Sequence, residues 1–342
     1  MDVSIILACR NEETSIEGCL RSILRQAQPP GGMEVIVADG QSDDATPFIL
    51  NRLAEEDHRL IVIENPGRIV SCGLNAAIRA ARGNIIIRID AHTLYAMDYV
   101  PQCLAALDQT GADNVGGPAR THATGYIQRV VGAAYHSPFA VGGARFHDPT
   151  HQGYVDTVPY GCWSREVFDR VGLFDEELVR NQDDEHNLRI RRAGGRIWQT
   201  PHIKSWYRPR GSLAELFRQY LQYGYWKVAV IRKHKIPASP RHVVPGIFMI
   251  ALVSLLFLSL WWSPALWAFI SIVSTYVAAV LAASVFTAAR SGWSLLPLLP
   301  VTFVVYHIGY GLGFARGIFD FLIMRRRPSR AFVALSRRSV LR

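Results

Sequence analysis

The chain of 342 residues exceeds one typical domain, and its 37 Lys and Arg against 28 Asp and Glu leave a formal net charge of +9. Between Val243 and Ala315 the only formal charge is Arg290, a stretch long enough for two or three bilayer crossings at about 20 residues each. These features argue against a wholly soluble enzyme and against a disordered protein.

Val3 to Cys9 is a continuous apolar run, rich in β-branched residues and too short for a helix pattern, and reads as a buried strand. Ile16, Leu20, Ile23 and Leu24 mark a helical face that stops at Pro29-Pro30-Gly31-Gly32. A second strand, Glu34 to Ala38, runs into Asp39-Gly40 and the polar turn Gln41 to Asp44. After a further helix come strand Leu60 to Ile63, a helix through Leu74 and Ile78, and strand Ile85 to Ile89. Alternating strands and helices predict a parallel sheet with right-handed crossovers, running to about Trp206. Ligands of such sheets bind beyond the carboxyl ends of the strands, where Asp39 and Asp90 stand.

Further on, Leu213, Leu216, Phe217, Tyr220 and Leu221 repeat at helical spacing, with Arg218, Lys227, Arg232 and Lys233 along the same stretch. A basic, aromatic-rich helix before an apolar block suits the membrane interface, and a packing helix is the equal alternative. Arg232, Lys233, Lys235, Arg241 and Arg325 to Arg327 flank the apolar block, so the basic excess is assigned to anionic headgroups and not to nucleic acid. The five cysteines, Cys9, Cys19, Cys72, Cys103 and Cys162, show no CxxC spacing, which argues against a disulfide framework or zinc site and fits a reducing cytoplasm. No basic flank followed by an apolar core marks a cleavable leader.

Three acidic groups are candidates for chemistry, and each has a plain alternative. Asp39 could accept hydrogen bonds from a ribose or base, or simply belong to an Asp-Gly turn. Asp90-Ala91-His92 could hold a divalent ion against a diphosphate, the imidazole favouring Mn²⁺ over Mg²⁺, or be a solvated strand end. Gln182-Asp183-Asp184-Glu185 opens a segment that closes on Arg189, Arg191 and Arg192 before Ala193-Gly194-Gly195. That arrangement complements a helix dipole, and it could also present one carboxylate as a general base.

Taken together, VSIILACRNEE, EVIVADGQSDD, GLNAAIRAARGNIIIRIDAH, GCWSREVFDRVGLFDE and DDEHNLRIRRAGGRI resemble, in order, the family 2 glycosyltransferases. The resemblance covers about two thirds of the chain, from Asp2 to Tyr225. It is strongest to the membrane-attached enzymes of bacterial exopolysaccharide assembly, of succinoglycan type. It implies an α/β, GT-A type nucleotide-sugar-binding sheet domain followed by a C-terminal transmembrane helical region. By resemblance, Asp39 holds uridine, the backbone from Ala8 through Arg10 to Asn11 lines the nucleotide pocket, and Asn75 joins the substrate-binding set. Asp90 and His92 occupy the metal motif, for Mn²⁺ or Mg²⁺, with His92 where the family more often has Asp. Registering Arg189 with the family's arginine puts Gln182-Asp183 at the catalytic-base motif, making Asp183 the base and Asp184 its rival. The segment Arg218 to Trp226 lacks the Gln-x-x-Arg-Trp box of processive synthases, which favours single addition.

The implied reaction is inverting transfer of a hexose from a UDP-sugar to a lipid-linked saccharide acceptor, in company with other polysaccharide-assembly proteins. A polyprenyl-phosphate sugar synthase and a non-catalytic nucleotide-sugar-binding protein are the alternatives. A nicotinamide oxidoreductase would need G-x-G-x-x-G after strand one, where the chain has Cys9-Arg10-Asn11-Glu12. The expected layout is a catalytic domain at 1–210, an amphipathic interfacial region at 211–242, a transmembrane region at 243–323 and a basic tail at 324–342. The expected location is the inner membrane, multi-pass, with the catalytic domain in the cytoplasm, where nucleotide sugars are made. Three apolar stretches begin near Val243, Ala265 and Leu295. Pro297 and Pro300 interrupt the third, and His307, Gly309, Gly311 and Gly313 make it polar and glycine-rich, which predicts a hairpin plus a re-entrant or interfacial third segment, against the simpler case of three plain helices.

Overall fold

The computed structural model describes residues 2–328 and Phe332, so most of the basic tail expected at 324–342 lies outside the described residues. Two compact units divide the chain. One runs through Thr121 and resumes over Arg145–Arg208, and the other comprises His122–Ala144 and the described residues from Pro209 onward.

The first unit is built on a sheet whose leading strand, β1 (Val3–Cys9), is buried at every position. α1 (Ile16–Leu24), β2 (Met33–Asp39), α2 (Thr46–Glu56), β3 (Leu60–Glu64), α3 (Val70–Ala80) and β4 (Ile85–Arg88) follow in strict alternation. β5 (Thr93–Tyr95), α4 (Tyr99–Thr110) and β6 (Asn114–Gly116) complete the chain up to Thr121. Strand alternation sorts the core into two layers. Ile5, Leu7, Val35 and Val37 meet α1, α2 and α4 through Ile16, Leu20, Leu50 and Val100. Ile6, Ala8 and Ile36 meet Leu74, Ala77 and Ile78 of α3 on the other face.

The chain next forms α5 (Tyr126–Tyr135) and α6 (Pro138–Val141), which belong to the second unit. The first unit then resumes with β7 (Gly153–Tyr154), β8 (Cys162–Ser164), α7 (Arg165–Val171), α8 (Gln182–Arg192), β9 (Ile197–Gln199) and β10 (Ser205–Tyr207). The sheet order is β3-β2-β1-β4-β8-β6-β9-β7. The expected parallel arrangement holds from β3 to β4. Beyond that the sheet is mixed, because β8 joins both β4 and β6 antiparallel. These added strands are only two or three residues long and lack the apolar runs that announced the first four.

The second unit continues with α9 (Leu213–His234), α10 (Val244–Leu258), α11 (Ser263–Ser291) and α12 (Leu299–Gly317), the last passing into a wider turn through Ile323. The Ser212 hydroxyl caps α9 by accepting the Glu215 N–H at 3.2 Å. Two helical stretches, Pro240–Leu258 and Ser263–Ser291, are long and apolar enough to cross a membrane, and they leave Ile247, Val253, Phe257, Leu281 and Phe286 exposed. α9 itself buries Leu216, Gln222, Tyr225, Trp226 and Val228 within this unit.

The prolines expected to interrupt the third apolar stretch do not: α12 is one continuous helix from Leu299, with Pro300 in its first turn, where a missing N–H costs nothing. Its glycines mark close approach, not interruption. A Cβ on Gly313 would fall 1.9 Å from the Leu221 carbonyl oxygen of α9, and one on Gly317 would fall 2.8 Å from that of Tyr225. In return, Gly224 of α9 lies under the Tyr310 carbonyl, 2.0 Å from where its Cβ would be. Gly311 admits Met249 and the Pro245 carbonyl of α10 on another side. Small residues let helix backbones close where apolar burial alone discriminates little.

Candidate active site

Parallel pairing brings the carboxyl ends of β1, β2 and β3 level, with Cys9 opposite Asp39 and Asp39 opposite Glu64. The loops that leave β1 and β2 are sewn together just above. Asn11 and Gln41 both adopt left-handed backbone, each at φ 55°, which is uncommon for non-glycine residues and concentrates at functional turns. The Asn11 amide donates to Asp43 at 2.6 Å and its carbonyl accepts the Asp43 N–H at 3.0 Å, while the Asn11 N–H donates to the Ser42 hydroxyl. Asp39 is fixed by the same loop: Oδ1 accepts the Ser42 hydroxyl at 2.6 Å and Oδ2 the Ser42 N–H at 3.1 Å. Ala8 is buried in β1, and Arg10 lies against Gly40. Asp39, Ala8, Arg10 and Asn11 thus share one rim of the sheet.

Asp90 follows β4 at the same end. Its N–H donates to the Tyr95 hydroxyl at 2.7 Å, and its carbonyl accepts the Thr93 N–H at 3.1 Å. The His92 ring stands between two carboxylates, with Nε2 3.7 Å from Asp90 Oδ2 and Nδ1 3.5 Å from Glu12 Oε1. Nδ1 is buried without a hydrogen-bond partner, and the ring meets Tyr207 edge-on. One imidazole and one carboxylate facing each other are a donor pair that would suit a divalent cation. Among the described residues no third His, Cys, Asp or Glu joins them to make a protein-only cage.

α8 begins after Asn181, itself left-handed at φ 63°. Asp183 sits in the first turn with its side chain 41% exposed. Its Oδ1 accepts the Asp184 N–H at 2.9 Å, and its Oδ2 lies 3.7 Å from Nη1 of Arg88, the last residue of β4. Arg88 therefore ties the start of α8 to the strand end that leads to Asp90. Asp184 is part-buried beside it. Glu185, fully buried, is gripped by Arg189 at 3.0 and 3.1 Å, and Arg189 also donates to the carbonyls of Val171 and Leu173. His186 packs among Trp163, Phe168 and Phe174, where burial, helped by Arg189, pushes its pKa down to about 3. Both are scaffold for the helix end that carries Asp183.

Asn75 stands apart from this cluster in its contacts. Its amide donates to the Phe174 carbonyl and to Glu176, both at 2.8 Å, and its oxygen accepts the Phe174 N–H at 2.9 Å, which anchors the loop before α8. Glu12, Arg88 and Tyr160 were missed by the sequence reading. An arginine inside the run Ile85-Ile86-Ile87-Arg88-Ile89 was the available signal. Tyr160 carried none: its hydroxyl meets that of Thr93 at 2.7 Å, and burial, with Asp90 nearby, raises its pKa.

Comparison with known proteins gives these contacts a context. A family model described as Glycosyl transferase family 2 matches residues 4–160. The chain is 32% identical over 326 residues to the succinoglycan biosynthesis protein ExoA of Rhizobium meliloti (strain 1021), covering 94% of this chain and 96% of that one. It is 24% identical over 324 residues to a dolichyl N-acetyl-alpha-D-glucosaminyl phosphate 3-beta-D-2,3-diacetamido-2,3-dideoxy-beta-D-glucuronosyltransferase of Methanococcus voltae, covering 92% and 97%. Among solved structures, the mannosyltransferase PcManGT from Pyrobaculum calidifontis, in complex with GDP-Man and Mn²⁺, aligns with a TM-score of 0.57 at 22% identity, over 91% of this chain and 86% of that one. The fold is accordingly a GT-A type mixed α/β domain followed by helices, two of them apolar enough to span a membrane.

Proposed function

Because the chain belongs to glycosyl transferase family 2, we propose that it transfers a hexose, glucose or a related sugar, from a UDP-sugar to a lipid-linked saccharide in polysaccharide assembly, inverting the anomeric centre. The observation that supports this reading is a pair of contacts at the end of β4: Asp90 lies 3.7 Å from His92, and Arg88, two residues before Asp90, lies 3.7 Å from Asp183. In this reading Asp39 binds the uridine, with the backbone of Ala8 to Asn11 lining its pocket. Asp90 and His92 would hold a divalent cation, Mn²⁺ or Mg²⁺, whose charge would offset that gathering on the diphosphate. Asp183 accepts the proton of the acceptor hydroxyl as that oxygen attacks the anomeric carbon from the face opposite UDP. Asp184 is the neighbour that would take the role if the register moved by one residue. The relative named for succinoglycan biosynthesis supports the polysaccharide setting.

We place the two long apolar stretches as a hairpin in the inner membrane, with the sheet unit in the cytoplasm. Trp261 and Trp262, exposed at the turn between α10 and α11, suit the far interface, and Arg232 and Lys233, exposed at the end of α9, suit the near one. Region 211–242 then lies at headgroup level, and α12 remains on the cytoplasmic side. A reporter fused after Arg342 reads this directly, and periplasmic activity there rejects it.

The functional test is UDP release by membranes carrying the protein, given single UDP-sugars and either a polyprenyl-diphosphate saccharide or polyprenyl phosphate. Sugar added to the saccharide, read by product mass, is the expected result. Product on polyprenyl phosphate alone would reassign the acceptor, and no turnover with any donor and lipid extract would remove the enzyme reading.

A further inference from the structure

We propose that Arg88 is a positioning residue for the transfer step, its buried guanidinium holding the Asp183 carboxylate toward the strand end. The inference rests on reading Asp183 as the general base. Arg88 closes the otherwise apolar β4, with only 5% of its surface exposed. A cation taken out of water there is costly unless it faces an anion. Its backbone is held on both flanks, since its N–H donates to the Gly161 carbonyl at 3.0 Å and it is registered with Ile6 of β1. Its Nη1 is buried with no hydrogen-bond partner, and the acid within ion-pair distance among the described residues is Asp183.

The two oxygens of Asp183 are therefore set from different directions. Oδ1 is occupied by the Asp184 N–H of its own helix, and Oδ2 faces the cation fixed in the sheet. At 3.7 Å the pair attracts without a hydrogen bond filling the oxygen's lone pairs, so Oδ2 can still accept a proton. A base on a helix end has rotamer freedom that a rigid strand-borne charge removes, and misplacing a reacting group by about 1 Å costs on the order of 10²-fold in rate.

The test uses the full-length protein in membranes, with Arg88→Met, Arg88→Lys, Asp183→Asn and the Arg88→Met/Asp183→Asn double variant. Turnover and donor KM are read by UDP release, and folding by thermal melting. We expect Arg88→Met to lower kcat about 10²-fold while donor KM stays within about threefold. Arg88→Lys should recover part of that loss. In the Asp183→Asn background, Arg88→Met should cost nothing more, because the group it positions is gone. A further loss of similar size in the double variant, or a loss confined to donor KM, overturns the proposal in favour of a structural or donor-binding role. If Arg88→Met fails to fold, Arg88→Lys decides between these by the same split of kcat from KM and by its own additivity with Asp183→Asn. Asp183→Asn that still turns over removes the base assignment itself. Asp183→Asn inactive beside a fully active Arg88→Met removes only the role of Arg88.

Discussion

The sheet unit and the helical unit differ in where their unusual residues stand, in loops at the sheet and inside helices in the other. Around the sheet, left-handed backbone falls on side chains that also carry polar contacts: Asn11, Gln41, Tyr160 and Asn181, all in loops. The helical unit has left-handed side chains too, Lys235 and Arg325, but it also crowds glycines inside helices, Gly224, Gly309, Gly311 and Gly313, against neighbouring backbone, where the lack of a side chain is what matters. At the rim of the sheet, left-handed loops hold polar groups where chemistry needs them, whereas the helices use emptiness to bring backbones together. Variants of the first kind should cost turnover with the fold intact, and variants of the second kind should cost the fold.

The largest effect is expected at Asp183. Asp183→Asn keeps the side chain's size and its bond to the Asp184 N–H, and should lower turnover by about 10²–10⁴-fold while UDP-sugar binding stays within a few-fold. Retained turnover in Asp183→Asn with loss in Asp184→Asn would move the base one residue along.

Next is the cation. Chelation should remove activity and Mn²⁺ restore it, with Asp90→Ala unresponsive to added metal. His92→Asp replaces imidazole by a harder oxygen donor and should move the preference from Mn²⁺ toward Mg²⁺, read as the ratio of turnover with each ion. Full activity in excess chelator would leave Asp90 and His92 without a metal role.

For the helical unit, Gly313→Leu forces carbon into the Leu221 carbonyl and should destabilise by about 1–3 kcal/mol or more, read as a lowered melting temperature in detergent. Gly211→Ala, ahead of the Ser212 cap of α9 with open space around it, serves as the control and should melt as the parent does. Equal melting of the two variants would mean that the close helix crossing contributes little.

These same glycines mark where sequence reading reached its limit. Hydropathy located α10, α11 and α12 within a few residues, yet the glycines of α12 read only as unusual for a crossing helix, since composition does not say which neighbour approaches a bare Cα. In the sheet unit, the apolar runs of β1 to β4 and the acids ending β2 and β4 were legible because burial on both faces leaves an unbroken apolar signature. β6, β8 and β9 were not, as three residues carry no period. Arg88 and Asp183 were each visible, but their pairing depends on β8 and α8 folding beside β4, which nothing local encodes. Asn75 was selected by resemblance alone, and its bonds to Phe174 and Glu176 depend on a loop far along the chain.

The smallest effect concerns His186 and how firmly α8 presents Asp183. Burial among Trp163, Phe168 and Phe174 lowers its pKa to about 3, from 6.5. An unfolded chain takes up this proton below about pH 6.5 while the folded chain refuses it until near 3, so stability falls as pH drops through that window. Each pH unit inside it is worth about 1.4 kcal/mol, or about 2 kcal/mol between pH 6.5 and 5. His186→Phe fills the same aromatic pocket but gives up the bond from Nε2 to the Gly172 carbonyl, at a cost of about 1 kcal/mol at any pH. The variant should therefore melt below the parent at pH 7.5 and level with or above it at pH 5. Melting curves that stay parallel from pH 7.5 to 5 would show that this imidazole does not set the acid limit of the sheet unit.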